Sequence, residues 1–172
     1  MSDSIIGITI AQVALLAGIT FVDFQRRVIH PGLLIALAGI SLFGILTNNH
    51  PAAQSAGVGA LTAGLAFSLV YLGGKLFGKR RAVPAGAVVF GRGDVWLGAV
   101  CGLAVGFPCA LLVALLALCL GGLSAGIYLA FTSWRGNAYQ PFTVLPYAHN
   151  LAGATCLALL FPTQVAQVFA AM

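Results

Sequence analysis

Residues 95–131 read VWLGAVCGLAVGFPCALLVALLALCLGGLSAGIYLAF, 37 positions without one charged side chain. About 20 apolar residues are enough for a helix to cross the hydrocarbon of a bilayer, so the run is too long for one span. Gly106-Phe107-Pro108 is the natural place for it to turn, which predicts two helices. The first is short, about 13 residues from Asp94 to Gly106, so one of its ends is expected below the membrane surface. Outward from this pair, apolar runs recur at Ile5–Val22, Pro31–Leu46, about Ala56–Phe77, and from near Pro141 to Phe161-Pro162, where a short tail begins. The count is six transmembrane helices in one membrane-embedded domain over residues 1–172.

Composition agrees. Hydrophobic residues make up 60% of the chain and charged residues 6%, against about a quarter charged in soluble domains, so the solvent is lipid. In hydrocarbon every backbone N–H and C=O is satisfied within a helix or a closed barrel, and the alternation a barrel needs is absent. The expected class is therefore an all-α polytopic membrane protein. The first segment lacks a basic n-region and a small-x-small cleavage site, so it is expected to stay as helix one.

Charge orients the bundle. All eight Lys and Arg follow odd-numbered helices: Arg26 and Arg27, then Lys75, Lys79, Arg80, Arg81 and Arg92, then Arg135. Positive residues mark cytoplasmic connections, which predicts extracytoplasmic termini. The net charge of +5 is thereby explained without a nucleic-acid partner.

Three acidic residues remain, Asp3, Asp23 and Asp94. Asp23 stands where the first helix closes and Asp94 where the fourth opens, so both are expected at the cytoplasmic face. Each has a plain role available, Asp94 as a helix N-cap and Asp23 as a counter-ion to Arg26 or Arg27. Ionisable groups at membrane helices are also candidates for chemistry. Gly98, Gly102 and Gly106 follow Asp94 at intervals of four and form a stripe that admits a neighbouring helix, which turns Asp94 inward.

Gly91-x-Gly93-Asp94 at a helix start, with Asp23 in the setting D-x-x-x-R-x-I (Asp23 to Ile29), resembles the prepilin peptidases, the GxGD membrane aspartyl proteases. Leu145-Pro146-Tyr147-Ala148 followed by Gly153 is similar to the family's V-P-Y-G-x-A-x-x-x-G, and the chain looks most like the short type that serves Flp or tight-adherence pili. The resemblance implies a bacterial inner-membrane aspartic endopeptidase that removes the short basic leader of a type IV or Flp-like prepilin at the cytoplasmic face, without a cofactor. It implies Asp23 and Asp94 as the catalytic dyad and Gly91 and Gly93 as an active-site loop that turns tightly and keeps Cβ atoms out of the substrate's way. Two carboxylates close together in a low-dielectric site cannot both ionise easily, so the pair shares a proton and splits the roles of base and acid. Arg92, Pro146 and His149 are candidates to line the site. His149 and Asn150, expected about two turns into helix six, suit interhelical hydrogen bonding equally well.

Two positions depart from the family pattern. Trp96 replaces the usual lysine two residues after the second aspartate, and Ile29-His30-Pro31 replaces I-P-N. Trp96 reads as an interfacial anchor, and Arg92 is the available substitute cation. Cys101, Cys109, Cys119 and Cys156 fall in apolar helices with no C-x-x-C pair, so they read as small core residues. Neither a zinc site nor the inserted methyltransferase region of the larger enzymes is expected. The competing reading is a non-enzymatic bundle, a degenerate relative or a small assembly or transport subunit, whose aspartates cap helices or bind an ion.

Overall fold

The computed structural model describes residues 3–48, 50–80, 90–135 and 147–170. Seven helices account for nearly all of them: α1 Asp3–Arg26, α2 Pro31–Asn48, α3 Ala53–Arg80, α4 Arg92–Val105, α5 Cys109–Trp134, α6 Ala148–Leu160 and α7 Pro162–Ala170. No strand occurs among the described residues. α1, α2, α5 and α3 as far as Leu76 are long and apolar enough to cross a membrane. α4 has 14 residues and α6 has 13, so each is about 20 Å long at 1.5 Å per residue, short of a hydrocarbon core of about 30 Å.

The sequence placed the turn in the 37-residue run correctly. Gly106 ends α4 with φ 70°, a backbone conformation that L side chains rarely adopt, and a Cβ there would fall 2.6 Å from Ser55 Oγ. Pro108 then takes the N-cap position of α5. The short tail expected after Phe161-Pro162 is helical. Phe161 closes α6, and Pro162, whose missing N–H costs nothing at a first helical position, begins α7. The expected start of the last helix near Pro141 lies outside the described residues, as does Arg81.

The bundle is packed with small residues inside and large ones outside. Ala110, Ala114, Ala117, Ala148, Ala152, Ala154 and Ala158 are buried around Leu16, Ile19, Leu37, Phe67, Leu97 and Leu151. Ile35, Leu46, Leu69 and Phe24 face outward. That inversion suits a lipid solvent, in which association rests on close packing and not on hiding apolar surface. The closest approach is between α3 and α4. A Cβ on Gly102 would overlap the Gly59 carbonyl oxygen, one on Gly59 would overlap the Gly102 carbonyl oxygen, and one on Gly98 would overlap the Phe67 ring. The glycine stripe is thus what lets two backbones touch.

A short chain of hydrogen bonds joins α1 and α2 inside the bundle. Buried Gln12 on α1 donates to Ser41 on α2 at 3.0 Å, and Ser41 donates onward to the Leu37 carbonyl at 2.9 Å. Near this pair a cavity of about 130 Å³ opens between Thr9, Gln12, Asn48, His50 and Cys109. Asp3, Asn48, His50 and Leu160 define that end of the bundle. The chain directions of the helices carry Asp23, Asp94 and the described Lys and Arg residues to the other end. Of the four cysteines, Cys101 is buried but Cys119 is exposed, so the expectation of four core thiols fails at Cys119, which faces out from α5.

Candidate active site

Three helix ends meet at the aspartates. Asp23 lies one turn inside the C-terminal end of α1, where its own carbonyl accepts the Arg27 N–H at 2.7 Å and Arg27 closes the helix with φ 53°. A carboxylate at a helix C-terminus sits on the wrong end of the macrodipole. The start of α6 offsets this, because the Ala148 N–H, free at a helix beginning, donates to the Asp23 carboxylate. Asp23 is only 6% exposed, and His149 in the same turn of α6 acts on it electrostatically.

Asp94 is half-buried in the first turn of α4. It is not the N-cap, as its sequence position suggested, because α4 begins two residues earlier than expected, at Arg92. Gly91 is the N-cap residue, and Asp94 reaches back from the third helical position to accept the Gly91 N–H at 3.2 Å. This is the acidic half of a capping box. The two carboxylates interact electrostatically. Ile29, in the α1–α2 connection, lies where a Cβ on Gly93 would come within 3.1 Å of it, so the segment after Asp23 is packed against the segment before Asp94.

The two loop glycines act differently from expectation. Gly91 has φ −80°, and neither it nor Gly93 takes the left-handed backbone that a tight glycine turn requires. Space is the constraint: a Cβ on Gly91 would stand 3.0 Å from Asp94 Oδ2, and one on Gly93 would press on Ile29.

Arg92 turns away from the role of substitute cation. It is exposed and its Nε donates to the Tyr71 hydroxyl on α3 at 3.3 Å. Pro146 lies outside the described residues. His149 is brought to Asp23, in the first turn of α6 and not two turns in. Its neighbour Asn150 instead meets Ser124 of α5 at 3.3 Å, so the two residues divide the alternatives between them.

Tyr147 was read only as part of a motif, and it belongs to the site. It caps α6 and its ring is held by Phe90 at 5.1 Å and Phe67 at 5.9 Å, both edge-on, with Gly121 of α5 leaving room for its edge. Asp94 lies within electrostatic range of its phenol. The signal was a polar ring immediately before a helix in an otherwise apolar stretch, but spacing alone did not connect it to residues 53 positions earlier.

The type IV leader peptidase family model matches residues 10–126, which include α1 from Ile10 onward, the Gly91–Asp94 turn and both aspartates. The chain belongs to the type IV leader peptidase family. As a member of that family it is a peptidase, and its long apolar helices make it a multi-pass membrane protein. No curated protein and no solved structure gives a significant match. Tyr147 and His149 lie beyond the matched segment, so their place beside the aspartates comes from the fold alone.

Proposed function

We propose that this type IV leader peptidase is an aspartic endopeptidase whose dyad is Asp23 and Asp94, and that it removes the basic leader of a type IV or Flp-like prepilin. The observation that carries the reading is the meeting of the only two carboxylates at this end of the bundle, across three helix ends, at a buried and a half-buried position. In the reaction the ionised aspartate takes a proton from water. The water oxygen bonds to the scissile carbonyl carbon, and the carbonyl π pair moves onto oxygen under the protonated aspartate. Collapse breaks the C–N bond, and the leaving nitrogen takes a proton from the dyad.

Position supports a cytoplasmic site. The described Lys and Arg residues share the dyad's end, which by the positive-inside rule faces the cytoplasm and sets the amino terminus outside. On this reading α4 and α6 join the four long helices to make six membrane helices in a bacterial inner membrane. The two departures from the family pattern leave the dyad untouched. Trp96 is 67% exposed and points away from the bundle, as an interfacial anchor does. His30 accepts the Gly32 N–H on Nδ1 at 3.2 Å and caps α2, with Pro31 at its first position.

Coexpression with a prepilin tests the proposal. Asp23→Asn and Asp94→Asn each leave the pilin at full length while the variant accumulates in the membrane at wild-type level. Normal shortening by either variant removes that aspartate from the dyad, and shortening by neither the variants nor the wild type favours a non-enzymatic bundle.

A further inference from the structure

Buried polar atoms in folded proteins nearly always have a hydrogen-bond partner, and each one left without costs about 1–3 kcal/mol. Among the described residues, the buried side-chain atoms without such a partner are Asp23 Oδ2, Tyr147 OH and His149 Nδ1. All three sit at one place, where the first residues of α6 meet the aspartates. In the tripeptide Tyr147-Ala148-His149 the phenol lies within electrostatic range of Asp94, the Ala148 N–H donates to the Asp23 carboxylate, and the imidazole acts on Asp23 electrostatically.

The phenol differs from the other two because its position is fixed without help from its oxygen. Phe90 and Phe67 grip the ring edge-on, and Phe67 is itself stacked parallel to Phe90 at 6.0 Å and fully buried. On the remaining side the ring lies against Gly121, where any Cβ would overlap it. A hydroxyl held rigidly by packing, shielded from solvent and unpaired among the described residues is a donor preorganised for something that arrives with the substrate. Such donors act where charge develops in the transition state.

We infer that Tyr147 is a further catalytic residue, whose hydroxyl donates a hydrogen bond to the scissile carbonyl oxygen as that oxygen gains negative charge. The inference rests on the dyad reading and adds to it a second donor on the oxygen opposite the attacking water. Tyr147 keeps its own proton throughout. Water adds at carbon, its proton passes to the ionised aspartate, and the oxygen pair is held by the protonated aspartate and the phenol until the C–N bond breaks.

The experiment is steady-state cleavage of a purified prepilin by Tyr147→Phe, which keeps the ring and removes the oxygen. The expected result is a kcat about 100-fold lower, with KM within about twofold of wild type, because the bond strengthens only in the transition state. The melting temperature in detergent is expected to stay at the wild-type value or rise, because the lost hydroxyl had no partner among the described residues, whereas Tyr147→Leu, which removes the ring from between Phe67 and Phe90, is expected to lower it. A wild-type kcat overturns the inference, as does a loss confined to KM. A fall in melting temperature matching that of Tyr147→Leu also overturns it, since the hydroxyl would then be structural. Asp94→Asn is assayed beside it: if that variant cleaves fully the dyad reading itself fails, and if it is inactive while Tyr147→Phe is normal, only the role of Tyr147 fails.

Discussion

Asp94 shows how much one carboxylate depends on the atoms missing next to it. Its Oδ2 occupies space that a methyl group at position 91 would need, with 3.0 Å between them. Alanine is compatible with the φ of −80° at Gly91, so the backbone tolerates Gly91→Ala and the carboxylate has to rotate. We expect that variant to melt within a few degrees of wild type yet cleave about tenfold more slowly or worse, since small displacements of a reacting group cost orders of magnitude. Gly93→Ala presses on the flexible Ile29 side chain instead and is expected to be milder in the same assay. Both aspartates were legible in the sequence, because a chain with three acids advertises each of them. Tyr147 was not, because its role comes from a ring clamp between α3, α5 and the residue that precedes the Gly91 turn. None of those contacts leaves a periodic trace.

Among the elements, α4 is the one that positions chemistry, and it does so by leaning on α3. The four-residue glycine spacing made that contact readable beforehand, and so did the break at Gly106. The start of α4 was misjudged by two residues because Arg92 and Gly93 look like loop, although a helix can begin with them when an aspartate at its third position satisfies the N-cap amide. Gly98→Ala sets two effects against each other. Alanine gains about 1 kcal/mol of helix propensity, but its methyl group overlaps the Phe67 ring, and overpacking costs about 1–3 kcal/mol. Overpacking is expected to win here, because Phe67 is fully buried and braced by Phe90 and Tyr147. A lower melting temperature and slower cleavage should follow, with partial recovery of both when Phe67→Leu is added. Gly73→Ala on α3, where a Cβ meets nothing within 4 Å, should raise the melting temperature; if Gly98→Ala does the same, the α3–α4 contact is looser than described.

For the molecule as a whole, the class was written in the composition, since 60% hydrophobic residues and 6% charged leave few solvents other than lipid. The helix at the end of the chain was hidden because α7, at nine residues, is too short to span, so the chain after Phe161-Pro162 read only as a short tail. The uneven helix lengths then carry a consequence for the vertical position of the chemistry. If the Gly106 end of α4 lies level with one face of the hydrocarbon slab, its 14 residues stop about 9 Å short of the other face, and the dyad lies that far down. A thicker slab deepens the well through which water and a peptide must descend. Cleavage in bilayers of increasing acyl-chain length is therefore expected to slow steadily once the slab outgrows α4, and a rate indifferent to thickness would mean the long helices tilt to absorb the difference. This short membrane helix in front of the aspartates is thus a depth gauge, and it ties the speed of the enzyme to the membrane it inhabits.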